Sequence, residues 1–394
     1  MIRGIEGETT KIVQLGCGIT GLVCAELLAK NPRVDQVVLA DSYLDAAKAM
    51  AARVNNPKLS VEKVDASKSS ALKKLFKGKD LVISSVPWRL LGGVFRTACE
   101  TKTDYVDFSL TGSSMEEFKE FEKMAEKSGI TALTASGCDP GISDVFAKYG
   151  ANMLDVPEEA YVRDGDCGVA EGYDFFTLWS PVDMVEEATT PAAVFVNGKH
   201  SYLPPLHKRE IYEFPPPIGP LPVYNTTHEE TFLMPAYIKG IKHADFKIAI
   251  DDGFAKTANF LRKIGMHNTK PINVKGVEVR PIDVVAATMP RPVELAGKVK
   301  GHAGIVVEVI GKKNGRRTMV KTWAVMSHEK AWEICKSNAT GYMVGVGGAV
   351  ASELLISGDV NRKGLIVPEM LPVEKFVQKL PEKGLKVKQE IMQL

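Results

Sequence analysis

The chain has 394 residues, more than one ordinary domain holds, so two domains are expected. Its 50 basic and 48 acidic residues give a net charge of +2, so the composition predicts no nucleic-acid partner. No apolar run reaches the roughly 18 residues of a membrane span, and the opening MIRGIEGETT lacks the apolar core of a secretion signal. Six cysteines without metal-binding spacing predict no disulfide framework and no metal site, and we expect a cytoplasmic protein.

A glycine-rich turn is the most informative motif of the first half. It lies between a predicted strand, 11–15, and a predicted helix, and its glycines have the spacing of a dinucleotide-binding motif. In such a turn the first glycine permits the tight bend, the second admits the pyrophosphate and the third lets the helix pack on the strand. We therefore predict that a cofactor contacts Gly16, Cys17, Gly18, Ile19, Thr20 and Gly21.

Asp41 indicates which dinucleotide the turn prefers. It lies 20 residues beyond Gly21, at the end of a second predicted strand, 37–40. A carboxylate at this distance accepts hydrogen bonds from the ribose hydroxyls and repels a 2′-phosphate. No basic residue follows at 42–45, so NAD is predicted in preference to NADP. The alternative is a glycine turn of the same fold that binds nothing.

Strands and helices alternate through the rest of the first half. This order predicts a doubly wound, Rossmann-type parallel sheet, in which ligands bind at the carboxyl ends of the strands. The predicted strands are 59–61, 80–85, 104–108 and 131–134, and the predicted helices are 45–54, 71–76, 114–128 and 142–149.

Two further loops lie at carboxyl ends of these strands. Ser85, Val86 and Pro87 end the strand 80–85 and are predicted to contact the nicotinamide ribose, with Trp88 lining the adjacent pocket. The alternative is an ordinary turn with Trp88 in the core. In the loop 136–144 we predict cofactor contacts from Gly137, Asp139 and Pro140, and substrate contacts from Cys138 and Ser143. The alternative for Asp139 or Ser143 is capping of the helix 142–149.

The character of the chain changes near residue 155. Prolines are dense between 155 and 222, so no regular helix is expected there, and later segments alternate as strands at 246–250, 305–310 and 318–325. The last two flank a tight turn at 313–315. We predict a mixed-sheet α+β substrate domain with few helices, followed by a helix at 344–356 that stops at Gly358. The predicted boundaries are 1–145, 146–335 and 336–394.

A polar cluster marks the second half as the carrier of substrate chemistry. His228 stands beside Glu229 and Glu230, a combination that suits proton transfer or the orientation of an amine. The alternative is a solvated histidine among acids. Asn225 precedes the cluster, Arg163 is a candidate clamp for a substrate carboxylate, and Trp179 is a candidate pocket wall. The alternatives for the last two are an ordinary surface arginine and a core position.

Five segments together resemble the saccharopine dehydrogenase family, which includes saccharopine reductases and lysine 6-dehydrogenase. The resemblance spans about residues 11–370 and is carried by GCGITG with Asp41, SGCDPGISDVFAKYGANMLD, TLWSP, GPLPVYNTTHEETFL and ATGYMVGVGGAVASELLISGDVNRKGLIVPE. It implies a Rossmann domain, a substrate domain, and a last helix that returns to the Rossmann domain. It also implies a homodimer formed through the sheet of the substrate domain.

The resemblance implies reversible oxidation of a C–N bond in an amino acid, with hydride passing to NAD(P) and hydrolysis of the imine. His228 would then be the acid/base group, and Glu229 or Glu230 would contact a positively charged substrate end. One departure from the family pattern puts lysine in doubt as the substrate. Where lysine 6-dehydrogenase carries His followed by Thr-Ser-Gly-Gly, this chain has Asn225, and its histidine, His228, lies three positions later.

Three hypotheses for function remain open on the sequence alone. The first is an NAD-dependent dehydrogenase that acts on saccharopine or a lysine-type amino acid. The second is a non-catalytic NAD-binding sensor, since the same fold can host one. The third is a dehydrogenase of a carboxy-polyamine conjugate, because the adjacent acids Glu229 and Glu230 suit a cationic substrate.

Overall fold

The computed structural model describes residues 9–112 and 115–394, which form two compact units. The first unit contains the chain up to Val145 and Tyr342–Lys386, and the second contains Phe146–Gly341 and Val387–Leu394. The predicted segment 336–394 does not hold for its last part, because the final strand pairs in the second unit. Most of MIRGIEGETT, and Ser114 at the start of one predicted helix, lie outside the described residues.

Strands and helices alternate through the first 151 residues, as predicted. The strands are β1 Thr10–Leu15, β2 Val34–Asp41, β3 Leu59–Lys63, β4 Leu81–Ser84, β5 Asp104–Asp107, β6 Thr131–Leu133, β7 Val156–Asp166, β8 Val169–Ala170, β9 Ala192–Val196, β10 Lys199–Leu203, β11 His207–Phe214, β12 Gly219–Asn225, β13 His243–Ala249, β14 Ile272–Val274, β15 Val277–Val279, β16 Val299–Lys300, β17 His302–Lys313, β18 Arg316–Ser327, β19 Gly364–Ile366 and β20 Val387–Gln393. The helices are α1 Ile19–Ala29, α2 Asp45–Val54, α3 Ser69–Phe76, α4 Trp88–Thr101, α5 Met115–Ser128, α6 Ile142–Ala151, α7 Pro181–Thr189, α8 Glu230–Tyr237, α9 Asp252–Lys263, α10 Pro281–Thr288, α11 Pro292–Leu295, α12 His328–Cys335, α13 Ala339–Ile356 and α14 Val373–Lys379.

The first unit is built on a parallel sheet. Within the described residues this sheet has seven strands in the order β19-β6-β5-β4-β1-β2-β3, and every neighbouring pair is parallel. The predicted doubly wound fold is confirmed. Chain order reverses between β1 and β4, and the turns that follow these two strands lie beside each other at their carboxyl ends. Ligands of doubly wound sheets bind at such a reversal.

The second unit contains a mixed sheet. Among the described residues it has nine strands along the path β10-β9-β13-β7-β17-β18-β20, with β12 joining β13 and β11 joining β12. The pair β7–β13 is parallel and the long hairpin β17–β18 is antiparallel. Asn314 and Gly315 turn this hairpin with φ values of 51° and 76°, as the sequence predicts.

Two predictions about helices were wrong. The second unit has more helices than expected, from α7 to α12, and α7 lies inside the proline-dense stretch where none was expected. Pro181 occupies the first turn of α7, a position that needs no N–H donor, and the Ser180 side chain caps the helix by accepting from the Asp183 N–H. Helix α4 was also missed, because residues 85–88 were interpreted only as a turn.

Helix α13 is long and apolar enough to cross a membrane by length and composition, but 89% of it is buried in the fold. It extends the predicted helix 344–356 at its start, and Gly358 ends it with a φ of 79°, as predicted. Its apolar composition is that of a core helix.

Candidate functional site

The glycine turn is held by contacts that leave no room for side chains at its first and third glycines. A Cβ on Gly21 would lie 2.3 Å from the Gly16 carbonyl oxygen and 2.3 Å from Ser85 Oγ. Gly16 has a φ of 91°, and a Cβ there would lie 2.8 Å from the Ser85 backbone. Both glycines therefore serve the packing of the turn and helix α1, as their predicted roles require.

Gly18 differs from the other two glycines, because nothing lies within 4 Å of a Cβ built there. It is exposed, it forms the N-cap of α1, and the first turn of that helix carries no acidic side chain. An open glycine at a helix N-terminus is the environment that a pyrophosphate needs, since the free N–H groups and the helix dipole favour an anion. The residues present therefore fit a dinucleotide.

Asp41 ties the end of β2 to the glycine turn. Its Oδ2 accepts from the Cys17 N–H at 2.6 Å, and its Oδ1 accepts from the Tyr43 N–H at 2.9 Å. A carboxylate has lone pairs for further donors, so the predicted ribose contact stays open. Burial, with the charge of Asp41, raises the pKa of the Cys17 thiol to about 12, so this cysteine serves packing rather than chemistry.

The segment 85–88 supports the turn from the neighbouring strand. Ser85 Oγ donates to the Gly16 carbonyl at 2.9 Å and accepts from Gln14 Nε2 at 3.0 Å. The Ser85 side chain thus holds the turn in shape. Pro87 precedes α4, and Trp88, its first residue, is 46% exposed. The core alternative for Trp88 is wrong, and its contact with a substrate stays a prediction.

The loop 135–141 is packed inside the first unit. A Cβ on Gly137 would lie 2.8 Å from the Phe108 carbonyl, and one on Gly347 of α13 would lie 1.9 Å from the Gly137 carbonyl. The Phe108 carbonyl leaves no room for a side chain at Gly137, and its predicted cofactor contact stays a prediction. Cys138 is only 5% exposed. The predicted roles of Asp139, Pro140 and Ser143 stay predictions, although Asp144, not Asp139 or Ser143, accepts from the Gly141 N–H that begins α6.

Asp107, which the sequence did not single out, organises the loops beside this one. Its carboxylate accepts hydrogen bonds from Tyr105 at 2.9 Å, from Thr134 at 2.9 Å, from the Ala135 N–H at 3.0 Å and from Thr111. Burial raises the pKa of Asp107 to about 7, although these hydrogen bonds lower it. The sequence did hold a signal for this role, because an aspartate stands at each end of the strand Asp104–Asp107. The segment was interpreted only as a strand.

The His228 cluster forms the main polar site of the second unit. The His228 ring stacks on Phe246 with centroids 3.8 Å apart, and its Nδ1 bonds to a carboxylate oxygen of Glu230. Glu229 lies 3.5 Å from the same nitrogen. The solvated alternative is wrong, because the Glu230 side chain is 0% exposed and that of His228 only 9%. Nδ1 is occupied, so Nε2 is the ring nitrogen that can present a proton to a substrate.

The charges of this cluster are strongly coupled. Burial lowers the pKa of His228, but Glu230, Glu229 and Glu187 raise it, and the net result lies well above the ordinary value of 6.5. The neighbouring carboxylates therefore favour the imidazolium form of His228. Glu230 holds this charge from the side away from Nε2, so its role is that of a partner for the ring.

Glu187 on α7 is the acidic residue that the sequence missed. It interacts electrostatically with His228 and Glu229, and burial raises its pKa to about 8, with His228 lowering it. Its Oε2 is buried and has no hydrogen-bond partner among the described residues. A signal did exist: Glu187 follows the buried Met184 at helical spacing, but no helix was expected there.

Asn225 and Thr226, just before the cluster, also carry unsatisfied oxygens. Asn225 Nδ2 donates to the Phe246 carbonyl at 3.1 Å, but Asn225 Oδ1 and Thr226 Oγ1 have no partner in the described part of the chain. Both residues are 0% exposed. Buried polar atoms are normally paired, so this group calls for a ligand or water.

Two other predicted substrate residues are engaged elsewhere. Arg163 is buried and pairs with Asp245 at 2.5 Å and Glu210 at 3.5 Å, which occupies the guanidinium that was to clamp a carboxylate. Trp179 packs against a core cluster that contains Leu178 and Leu295. The surface alternative for Arg163 is wrong, because the residue is buried, and the contacts of Trp179 favour its core alternative.

The possible ligand atoms of His228, Glu229 and Glu230 lie within 4.8 Å of one another, a grouping that could hold a metal ion. A histidine ligates metal in its neutral form, whereas His228 is held charged by its neighbours. The absence of a metal therefore stays our prediction.

Comparison with known families decides the identity of the fold. The profile of the saccharopine dehydrogenase C-terminal domain matches residues 137–385, and that of the saccharopine dehydrogenase NADP binding domain matches residues 12–133. The chain belongs to the saccharopine dehydrogenase family. It is an oxidoreductase that uses a nicotinamide dinucleotide, and the resemblance found in the sequence is confirmed.

Relatives of this family member match almost end to end. Carboxynorspermidine synthase of Vibrio cholerae serotype O1 is 27% identical, with 95% of each chain covered. Carboxyaminopropylagmatine dehydrogenase of Synechocystis sp. is 26% identical, with 95% of this chain and 96% of the relative covered. The apo saccharopine dehydrogenase (L-Glu forming) of Saccharomyces cerevisiae has the same fold, with a TM-score of 0.74 at 18% identity over 97% of this chain and all of that one.

Proposed function

We propose that this chain is a dehydrogenase that makes or breaks the C–N bond of a carboxylated polyamine. The substrate would be a secondary amine that joins an amino-acid arm to a polyamine arm. Oxidation gives an imine, which water hydrolyses to a primary amine and an aldehyde, and the reverse sequence joins the two. This is the third of the hypotheses left open by the sequence, and it replaces the lysine-type substrate as the favoured one.

The negative charge around His228 carries the proposal. Glu229 and Glu230 lie against the single imidazole ring of His228, and Glu229, Asp183 and Asp164 create a negative potential at Glu187. An excess of carboxylates in a partly buried site attracts and holds cations. A polyamine is a cation at neutral pH, whereas the outer arm of saccharopine ends in carboxylates. Carboxynorspermidine synthase and carboxyaminopropylagmatine dehydrogenase, each matched over 95% of this chain, carry names of carboxylated polyamines.

His228 would supply the proton that this chemistry needs. The stacked ring and its bond to Glu230 fix the orientation of Nε2. In the C–N-forming direction we assign Nε2–H as the donor to the imine nitrogen, which makes the imine carbon more electrophilic. In the opposite direction the neutral ring would accept that proton. Glu230 is a positioning residue in this scheme, because it acts through the imidazole.

The first unit would bind the dinucleotide by its backbone. The bound nicotinamide supplies the hydride acceptor or donor. The N–H groups that begin α1 would hold the pyrophosphate over Gly18, and Asp41 would accept from the ribose. Asp41 supports NAD as the preferred cofactor, although the matching family profile is described as an NADP binding domain.

Turnover of defined substrates tests the proposal. Purified protein would be mixed with NAD⁺ or NADP⁺ and carboxynorspermidine, saccharopine, lysine or norspermidine, and formation of reduced nicotinamide would be followed by its near-ultraviolet absorbance. We expect kcat/KM for carboxynorspermidine to exceed that for saccharopine by about 100-fold or more, because only the former suits the acidic cluster.

Norspermidine is the control for the amino-acid arm, since it lacks the carboxylate. A preference for saccharopine or lysine would overturn the proposal in favour of the amino-acid dehydrogenase. Dinucleotide binding without turnover of any of the four compounds would favour the sensor. The implied homodimer stays a prediction, to be checked by light scattering.

A further inference from the structure

Glu187 stands out because a buried carboxylate oxygen has no partner. Glu187 as a whole is partly exposed, but its Oε2 atom is inaccessible to solvent and accepts no hydrogen bond from the described residues. Leaving such an atom unsatisfied costs about 1–3 kcal/mol. An oxygen in this state in a folded protein calls for a donor from a ligand or from water.

The groups that face Glu187 show what kind of donor is needed. His228 is the cation among the groups that act on it, and Glu229, Asp183 and Asp164 are anions. His228 is already paired with Glu230. A further cation placed beside Glu187 would therefore meet a net negative charge.

The orphaned oxygens of the neighbouring segment fit the same donor. Asn225 is linked to the Phe246 backbone, and the Phe246 ring stacks on His228, so Asn225 belongs to the same cluster. Its Oδ1 and Thr226 Oγ1 are buried acceptors without donors in the described chain. A primary ammonium carries three N–H donors and one positive charge, which is what an acidic site with spare oxygen acceptors can bind.

We propose that Glu187 binds the terminal primary ammonium of the polyamine arm and so selects substrates that carry one. The proposal rests on the proposed function and names the residue that recognises the arm. Glu187 is a specificity-determining residue here, distinct from His228, which faces the reacting nitrogen. Asn225 and Thr226 provide neutral acceptors for the remaining N–H groups.

Binding of the ammonium also changes the protonation state of Glu187. Burial raises the pKa of Glu187 to about 8, so the side chain is a neutral acid at pH 7. A neighbouring ammonium favours the carboxylate, because opposite charges stabilise each other. The neutral acid therefore loses its proton to solvent when the ammonium binds, and the charge of the site stays constant.

A pair of substrates and one variant test the assignment. One substrate is carboxynorspermidine, and the other is its analogue with the terminal –NH₃⁺ of the polyamine arm replaced by –CH₃. We expect E187Q to raise KM for the first by about 10-fold or more, which is the loss of one charge-assisted hydrogen bond. For both substrates kcat should stay within about 3-fold, and KM for the methyl analogue should not rise.

Glu213→Gln is the matched control, since Glu213 is an exposed carboxylate on β11 of the same unit. Glutamine has the same shape as a protonated glutamate side chain, so E187Q should fold with an unchanged Tm. An equal rise in KM for both substrates, or a rise below about 3-fold for carboxynorspermidine, would overturn the role of Glu187. Absence of turnover by the unaltered protein would instead count against the proposed function.

A binding measurement keeps the inference testable without turnover. Titration calorimetry of the unaltered protein with 1,3-diaminopropane, in buffers of different ionisation enthalpy, measures the protons released. We expect release approaching one proton at pH 7, and much less above pH 9 where Glu187 is already ionised. Undetectable binding of the diamine, or binding at pH 7 without proton release, would overturn the assignment.

Discussion

The glycine turn of the first unit and the His228 cluster of the second differ in how completely their polar atoms are paired. Asp41 and Ser85 both make short contacts within the turn, so it is shaped before any ligand arrives. In the cluster, Glu187 Oε2 and Asn225 Oδ1 are buried without partners in the described chain.

This difference matches two kinds of recognition. NAD and NADP present the same pyrophosphate to every member of a family, and backbone N–H groups and glycines can bind it. A substrate varies between members, and side chains must supply its partners. A preformed turn loses little conformational entropy when it binds its ligand. The cluster instead contains buried polar atoms that gain hydrogen bonds only when the correct ligand binds.

The largest effect on the first unit is expected from a substitution of Gly21. Gly21→Ala places a methyl group 2.3 Å from the Gly16 carbonyl and Ser85 Oγ, so the turn must open. We expect stability to fall by about 3 kcal/mol and dinucleotide binding by more than about 100-fold. Urea unfolding and fluorescence titration with NADH measure the two effects.

Gly18→Ala is the matched control, because its methyl group meets nothing within 4 Å. Stability should change by no more than about 1 kcal/mol, while dinucleotide binding weakens by about 10-fold or more. Binding that survives Gly18→Ala would mean that the pyrophosphate lies elsewhere.

The next largest effect should come from His228→Gln. Turnover should fall by about 100-fold if His228 transfers the proton, with NADH affinity within about 2-fold of the original. Since the change removes the histidine partner of a buried ion pair, we also expect a loss of about 3–5 kcal/mol in stability. Stopped-flow turnover and urea unfolding measure these changes.

The double variant His228→Gln with Glu230→Gln separates the two losses, because it removes the buried charge of Glu230 together with the imidazole. It should regain stability without regaining turnover; recovery of turnover would exclude proton transfer by His228. The folded pKa of His228 lies above its unfolded value, so the contribution of the pair is complete below about pH 6.5 and is lost as pH rises through the folded pKa. Glu230→Gln alone should weaken this pH dependence, because it removes the largest of the three carboxylate effects on the pKa of His228.

A smaller effect is expected from Asp107→Asn in the first unit. The amide nitrogen would face hydroxyl and N–H donors, and one unsatisfied buried group costs about 1–3 kcal/mol. Burial raises the pKa of Asp107 to about 7, so the folded state holds an extra proton between pH 4 and 7, and stability falls as pH rises through this window. The variant should lose that slope. Unfolding curves at pH 5 and pH 8 with equal differences between the two proteins would contradict this account.

Asp41→Ala should give the smallest of these effects and sharpens the cofactor preference. We expect NAD affinity to fall by about 10-fold, which is one charge-assisted hydrogen bond of about 1.4 kcal/mol. NADP affinity should fall less or rise, because a like charge near the 2′-phosphate is removed. Equal changes in both, measured by titration, would count against NAD as the preferred cofactor.

The first unit was predictable because its signals are local. The spacing of Gly16, Gly18 and Gly21 and the alternation of strands and helices lie within short windows of sequence. The sequence could not place Gly137, because the helix that packs against it, α13, lies about 200 residues further along the chain. Contacts between residues so far apart in the chain produce no periodic pattern in the sequence.

In the second unit, residue types were predicted better than their partners. His228 and its acidic neighbours are adjacent in sequence, so their grouping was visible. Glu187 was not, since it joins them only through the packing of α7. Arg163 illustrates the opposite error: an arginine suited to a substrate carboxylate is paired with carboxylates of the fold.

The position of β19 beside β6 has a consequence for synthesis on the ribosome. These neighbouring strands are separated by about 230 residues of chain, which take roughly 10 to 50 seconds to translate at common elongation rates. Throughout that interval the hydrogen-bonding edge of Thr131–Leu133 awaits its partner in the nascent chain. An unpaired edge favours association with other chains, so the nascent protein is most vulnerable to aggregation before Gly364–Ile366 is made.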